Sequence, residues 1–305
     1  MPTILIGGGS GLIGRKLSAM LLEKGYDVII LSRKIKTSSN PKLSYALWNT
    51  DRQTIDINAL AKSDYIINLA GEGVADKRWT KKRKRILQES RTKSCTLIVN
   101  TLRDHANKIK AVINASGIGW YGDDAGNSKP AFTEDMPSAN DFLGQTCKAW
   151  EESIAPVAAL GKRLVIIRTG IVLSRDGGAL PEFIKPVRFG FAPVFGNGKQ
   201  IQSWIHIDDI CRMYIHALEN ESMLGAYNAA APKPVDIKML VYTVAKKIKG
   251  SFYIPIYVPS FLLKIILGGM SAEILKSITV SSTRVRNTGF QFVFPSIEAA
   301  VNDLA

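Results

Sequence analysis

The chain has 305 residues, 46% of them hydrophobic, with a formal net charge of +14 at pH 7 and three cysteines. It is long enough for a sizeable core, as one large domain or a main domain with a smaller lobe, and too apolar to be a disordered chain. Cys95, Cys147 and Cys211 lie far apart, which excludes a disulfide framework or a clustered cysteine site; no metal and a reducing, cytoplasmic setting are expected.

The positive balance would attract a phosphorylated ligand, a nucleic acid or an anionic membrane. No stretch resembles a nucleic-acid-binding motif, so no nucleic-acid partner is expected. The chain opens on a strand and a glycine loop with no basic leader, so no secretory signal is expected either. The most apolar late stretch, Tyr253 to Met270, is interrupted by Pro255, Pro259 and Lys264 and is not expected to span a bilayer.

In chain order, Thr3 to Gly7 reads as a short buried strand, and Gly8-x-x-Gly11-x-x-Gly14 as a glycine turn that opens a helix. At that spacing one glycine makes the tight turn, one lets backbone N–H groups approach a pyrophosphate, and one lets the helix press on the strand. The anion would sit on the helix N-terminus, beside Leu12 and Ile13, where unpaired N–H groups and the macrodipole favour negative charge. This helix runs to about Lys24, with Gly25 as its stop.

Asp27 to Ser32 is a buried second strand, and the residues at its end choose the cofactor. An acidic residue there would hold a ribose 2′-OH and select NAD. Ser32-Arg33-Lys34 instead supplies a hydroxyl and two cations, which suit a 2′-phosphate, so NADP(H) is the expected cofactor. The alternative is that Arg33 and Lys34 are solvated loop charges.

Leu43 to Trp48 predicts a third strand, Ile57 to Ala61 part of a short helix, and Asp64 to Gly71 a fourth strand. That strand ends in small residues, which leave room for a ligand in the crevice. The basic run through Lys77 and Arg85 opens a long helix reaching about His105, with Thr80 as N-cap. It reads as a solvated face or as a site for an anionic partner. Arg91 falls on the helix's apolar stripe of Leu87, Cys95, Ile98 and Leu102. An inward guanidinium needs a partner, either a cofactor phosphate or Glu72.

Ala111 to Ser116 is the fifth strand, followed by Gly117-Ile118-Gly119-Trp120-Tyr121-Gly122. Phe142 to Ile154 is a helix whose apolar stripe includes Cys147, and Arg163 to Thr169 is the sixth strand. Strand–helix alternation of this kind implies a doubly wound, mostly parallel α/β sheet with right-handed crossovers. From Gly170 on, Gly177-Gly178, Pro181, Pro186 and the glycine-rich Phe189 to Gly198 read as loops over a cleft. A helix after Trp204-Ile205-His206-Ile207-Asp208-Asp209 ends near Asn220, and Ala226 to Ala229 is a short strand. The remainder is mostly helical with a short strand at Phe252 to Tyr257. The expected division is a dinucleotide-binding domain over 1–235, with 171–203 contributing to the substrate cleft, and a small C-terminal domain over 236–305.

The glycine turn, Asn68-Leu69-Ala70-Gly71, Ser116 with Tyr121-Gly122, and Trp204 to Asp209 together resemble the extended short-chain dehydrogenase/reductase superfamily. The chain is more similar still to its atypical, epimerase-like branch, which ends in a small domain of unknown function; Asn287-Thr288-Gly289-Phe290-Gln291-Phe292 looks like that domain's closing motif. The resemblance covers nearly the whole chain and implies a Rossmann fold. It further implies that Ser32-Arg33, Leu69-Ala70-Gly71-Glu72 and Ser90-Arg91 line an NADP site. Members of the branch include proteins labelled cell-division inhibitors, so it implies either an NADP(H)-dependent oxidoreductase or epimerase-like enzyme acting at a carbonyl or alcohol carbon, or an NADP(H)-binding regulator without turnover. A small-molecule substrate, which the charge would allow to be anionic, and a monomer or homodimer are expected.

The superfamily's Tyr-x-x-x-Lys is missing. If Lys148 takes the lysine position, Gly144 stands where the tyrosine should be, and glycine transfers no proton. Tyr242 to Lys246 has the spacing but lies on a helix well after the sheet is complete. Ser116 holds the position of the family's catalytic hydroxyl, and Tyr121 is the candidate substitute proton donor or, alternatively, a packed aromatic beside Trp120. His206 reads as a structural residue near the cleft floor.

Overall fold

Runs of aliphatic residues buried on both faces build the centre of the molecule, as a parallel sheet covered by helices on both sides requires. The computed structural model describes residues 1–125 and 130–305. In chain order its first half comprises β1 (Thr3–Gly7), α1 (Leu12–Glu23), β2 (Asp27–Ser32), β3 (Leu43–Asn49), β4 (Thr54–Ile55), α2 (Ile57–Lys62), β5 (Tyr65–Asn68), α3 (Lys81–Asp104), β6 (Ala111–Gly117), α4 (Phe142–Ile154), α5 (Pro156–Ala159) and β7 (Arg163–Thr169). Then follow β8 (Ile171–Ser174), β9 (Gly177–Gly178), α6 (Leu180–Arg188), β10 (Phe191–Phe195), β11 (Ile201–Gln202), β12 (Trp204–His206), α7 (Ile207–Glu219), β13 (Gly225–Ala229), β14 (Val235–Asp236), α8 (Ile237–Lys249), β15 (Ile254–Val258), α9 (Ser260–Leu267), α10 (Met270–Leu275), α11 (Thr283–Arg286) and α12 (Ile297–Leu304).

The main sheet has eight strands in the order β13-β7-β6-β5-β1-β2-β3-β4. Every pairing is parallel except the short β3–β4 pair at one edge. The order runs outward in both directions from β1, so the crevice opens where the strand order reverses, between the carboxyl ends of β1 and β5. Register places Gly7 opposite both Leu31 and Asn68, and Asn68 opposite Asn114. The glycine turn, Ser32, Leu69 and Ser116 therefore line up along one edge of the sheet.

The long helix α3 starts where expected: Thr80 Oγ1 accepts from the Arg83 N–H, satisfying one of the free donors of its first turn. The stretch expected as loops from Gly177 to Gly198 is different. Residues Leu180–Arg188 form α6 with Leu180, Phe183, Ile184 and Val187 buried on one face, and Phe191–Phe195 form β10. Pro181 occupies the first turn, where its missing N–H costs nothing, and Pro186 falls in the last turn. The two prolines masked an amphipathic stripe.

A second body of structure joins two distant parts of the chain. β10 pairs in parallel with β15, from Phe191 opposite Ile254 to Phe195 opposite Val258, and α8 carries buried Leu240, Val241, Val244 and Ala245. The segment containing α9 and α10 returns over the carboxyl edge of the main sheet. Trp79 bridges to Gly268 there, and Trp79, Leu87 and Met270 form a small separate core.

Candidate functional site

Two of the three glycines of the first turn, Gly8 and Gly14, are held by contacts that no side chain would allow. Gly8 has φ +78, and a Cβ on it would lie 2.6 Å from the carbonyl carbon and oxygen of Leu69. A Cβ on Gly14 would lie 2.4 Å from Gly8 O and 2.6 Å from Gly9 Cα. Gly11 is the residue before α1, and no side chain caps the helix. Among the described residues no side chain accepts from the N–H groups of that first turn, which makes it a ready cradle for a diphosphate.

At the end of β2, the Lys34 N–H donates to Ser32 Oγ at 3.3 Å, which curls the chain around the serine. Arg33 and Lys34 are exposed, and neither forms an ion pair among the described residues. Two cations and a hydroxyl beside the turn are a donor set for a phosphate, and the residues directly after the strand include no acid to receive a ribose hydroxyl.

Arg91 is buried, and it meets the Glu72 backbone rather than the Glu72 carboxylate. Its guanidinium donates to the backbone carbonyls of Leu87 at 2.7 Å and Glu72 at 3.0 Å and lies 4.9 Å from the Trp150 ring centre. Burial lowers its pKa from the ordinary arginine value. The Glu72 carboxylate pairs instead with Arg83 at 2.9 Å. Arg83 belongs to the basic run expected to be solvated, yet it is buried and also donates to Gly73 O at 2.7 Å. These two arginines pin the segment from Leu69 to Gly73 onto α3; Gly71 lies so close to Arg91 that a Cβ there would stand 3.3 Å from Cγ and Cζ.

Ser116 ends a buried network that local sequence does not reveal. Its hydroxyl donates to Glu151 Oε1 at 2.6 Å. Arg168 grips the same carboxylate in a bidentate pair, Nε to Oε1 at 2.9 Å and Nη2 to Oε2 at 2.8 Å. Arg168 Nη1 donates to the Tyr121 hydroxyl at 2.9 Å and to Glu134 O at 3.0 Å, while its guanidinium stacks 3.8 Å from the Trp120 ring centre. The Tyr121 hydroxyl in turn donates to Asn228 Oδ1 at 2.7 Å, and burial pushes its pKa up to about 12. Both hydrogen-bonding roles of that hydroxyl are thus committed inside the protein. A cation in the otherwise aliphatic strand Leu164-Val165-Ile166-Ile167-Arg168 is the one signal of this network in the sequence.

The helix after β6 shifts the position of the missing dyad by one residue. Lys148 is half-exposed and faces Glu152 at 3.9 Å. Cys147 is buried next to the strand end: a Cβ on Gly117 would lie 3.7 Å from its Sγ, and burial raises its thiol to about 11. Leu143, one turn earlier, contacts Gly119. The face turned to Ser116 therefore carries Leu143 and Cys147, so tyrosine and lysine are both absent from it. Gly144 is closed in another way, since a Cβ there would lie 2.3 Å from Ala139 O. Gly144→Tyr is accordingly expected to destabilise the protein by several kcal/mol through backbone displacement, whereas Leu143→Tyr, at a half-buried position, is expected to fold; comparing urea midpoints checks this.

Lys276, just after α10, binds Asp141 Oδ2 at 2.8 Å and Glu273 Oε1 at 2.7 Å, tying the C-terminal segment to the start of α4. Asp141 also caps α4 by accepting from the Gly144 N–H at 2.8 Å. His206 is fully buried, as its structural reading requires. Its Nδ1 accepts from the Asp208 N–H at 3.0 Å, capping α7, its Nε2 lies 3.2 Å from Asp303 Oδ2, and its ring stacks on Phe294 at 3.7 Å. Among the described residues no group of side chains could hold a metal ion, and no helix is long and apolar enough to cross a membrane.

Comparison with known proteins matches this architecture. The model of the NAD dependent epimerase/dehydratase family covers residues 4–230, and that of a domain of unknown function, DUF1731, covers residues 258–304. An epimerase family protein of Staphylococcus saprophyticus is 34% identical over 304 residues, covering 100% of this chain and 99% of that protein. The crystal structure of the human epimerase family protein SDR39U1 (isoform 2) with NADPH superposes with a TM-score of 0.85 at 28% identity, covering 99% of each chain. A nucleoside-diphosphate sugar epimerase from Corynebacterium glutamicum has a TM-score of 0.77 at 29% identity, over 98% of this chain and 57% of that one. With its glycine turn and parallel sheet spanned by that family model, and a relative alike over its full length, the chain belongs to the NAD dependent epimerase/dehydratase family.

Proposed function

We propose that the protein is an NADP(H)-dependent oxidoreductase or epimerase-like enzyme that moves hydride at a carbonyl or alcohol carbon of a small molecule. The observation that carries the cofactor half is the pairing of the uncapped α1 turn with the cations Arg33 and Lys34 at the adjacent strand end. The NADPH in the human relative's crystal structure supports the same choice. In this reading Gly8, Gly11, Leu12, Ile13 and Gly14 hold the pyrophosphate, Ser32, Arg33 and Lys34 the 2′-phosphate, and Leu69 to Glu72 with Ser116 the ribose and nicotinamide side. Arg91 keeps the Leu69 to Glu72 segment in place. Bound there, the dinucleotide would supply hydride exchange with the substrate carbon.

Ser116 would orient the substrate: its hydroxyl hydrogen is donated to Glu151, so its oxygen can accept a hydrogen bond from a substrate hydroxyl. Tyr121 positions Arg168 rather than reaching the substrate. The net charge of +14 favours an anionic substrate, and the proposed setting is cytoplasmic, as a monomer or homodimer. Residues 1–235 would form the dinucleotide-binding domain and 236–305 the C-terminal one, with 171–203 facing the substrate.

Arg33→Ala is expected to weaken NADPH about tenfold or more and to leave NADH nearly unchanged, measured by titration. Equal affinity of the unmutated protein for both cofactors would overturn the assignment. The second reading, a regulator that holds NADP(H) without turnover, draws on Leu143 and Cys147 in the dyad's place. Turnover of NADPH with any member of a carbonyl and sugar-nucleotide panel decides for the enzyme. No turnover, together with a protein partner captured only when NADPH is present, decides for the regulator.

A further inference from the structure

The two segments that build the second body of structure share an unusual composition. Residues 183–207 hold Lys185, Arg188 and Lys199 and no acidic residue; residues 237–272 hold Lys238, Lys246, Lys247, Lys249 and Lys264 and again no acidic residue. Of these, Lys185 pairs with Glu182, while Arg188, Lys246, Lys247, Lys249 and Lys264 have no acidic partner among the described residues.

The same segments carry most of the large apolar side chains the protein leaves in water. Phe189 is 81% exposed and Phe252 87%; Phe191, Ile254, Phe261 and Ile265 are exposed as well. They are brought together by the fold. Phe191 lies opposite Ile254 in the β10–β15 pair, the Ile254 N–H donates to Gly190 O at 2.8 Å beside Phe189, and α9, bearing Phe261 and Ile265, follows β15 directly. Soluble monomers seldom keep so continuous an apolar surface unless it meets something.

We propose that this face docks on an anionic lipid surface, with the phenylalanines and isoleucines entering the headgroup boundary and the lysines pairing with lipid phosphates. The charge pattern selects this occupant. Lysine and arginine stems run along apolar surface while their charged ends reach outward, the arrangement of interfacial anchors. A second copy of the chain would bring two predominantly basic surfaces face to face across an isologous interface, where like charges repel. None of these side chains holds the cofactor in the proposed NADP(H) site, and lipid binding is read without turnover.

The test is co-sedimentation of the full-length protein with vesicles of phosphatidylcholine alone or with added phosphatidylglycerol, at low and raised salt. Binding is expected only to the phosphatidylglycerol vesicles, weaker at raised salt, and about tenfold weaker in the Phe189→Ser/Phe252→Ser double variant. Both side chains are solvent-exposed, and an unchanged urea midpoint confirms that the variant is folded. Lys81→Glu/Lys82→Glu, in the basic run before and within α3, is expected to bind as the unmutated protein does. No binding to phosphatidylglycerol vesicles at low salt overturns the proposal, as does native binding by the phenylalanine double variant. Loss of binding in the Lys81/Lys82 variant also overturns it, because the contact then lies on the basic run. A dimer in solution that the phenylalanine variant dissociates assigns the patch to a second copy and overturns it too.

Discussion

Truncation of Glu151 to alanine is expected to lower the unfolding free energy by about 3–5 kcal/mol, the cost of leaving one member of a buried ion pair without its counter-charge. Arg168, 3% exposed, would lose both arms of its bidentate contact and keep only the Tyr121 hydroxyl, Glu134 O and the Trp120 face. Ser116 would lose its acceptor in the same step. Glu151→Gln keeps the shape and one acceptor oxygen, so a smaller loss is expected. Replacing both partners, Glu151→Met with Arg168→Met, should recover much of the alanine variant's deficit, since the desolvation cost of both charges disappears together. Urea unfolding of the four proteins at pH 7 measures this. A deficit below about 1 kcal/mol for Glu151→Ala would mean that water reaches Arg168 and that the network does not hold the site.

That network also marks the limit of what the sequence disclosed. The glycine turn, the change from acid to cation at the end of β2 and the Thr80 cap were legible because each is a local pattern with a local cause. Ser116, Glu151, Arg168, Tyr121 and Asn228 come from β6, α4, β7, the turn after β6 and β13, and only the sheet order makes them neighbours. The missing dyad was legible as an absence but not in its register. Residues 143 and 147, like 144 and 148, are four apart, and only the burial of Cys147 against Gly117 says which pair faces Ser116. Arg83 shows the converse. A run of cations reads as one solvated face, yet helical geometry turns every third or fourth residue inward, and Arg83 is the one that meets Glu72. In α6 the two prolines outweighed the apolar stripe because proline acts on its own backbone wherever it stands, whereas its cost depends on which turn of the helix receives it.

The other large effect is expected at Gly14. Gly14→Ala should weaken NADPH binding by about a hundredfold or more while the protein still folds. The added methyl would start 2.4 Å from Gly8 O and 2.6 Å from Gly9 Cα, both backbone atoms, so the turn itself has to move rather than a side chain. Gly8 cannot yield toward β5, because its own Cα side is already pressed on the Leu69 carbonyl. The displacement therefore falls on the N–H groups of the turn and the first residues of α1. A hydrogen bond to a charged group contributes about 1.5–3 kcal/mol, so misaligning two of them at the pyrophosphate accounts for the hundredfold. The overpacking itself costs about 1–3 kcal/mol of stability, a size that a chain of this length tolerates. Gly161→Ala serves as the control. That glycine also has positive φ, +72, but stands in open space before β7, so alanine there strains the backbone without touching the crevice. NADPH titration of the three proteins separates the two effects. Native affinity in Gly14→Ala would mean that the pyrophosphate does not rest on this turn, and an equal loss in Gly161→Ala would trace the effect to general destabilisation instead.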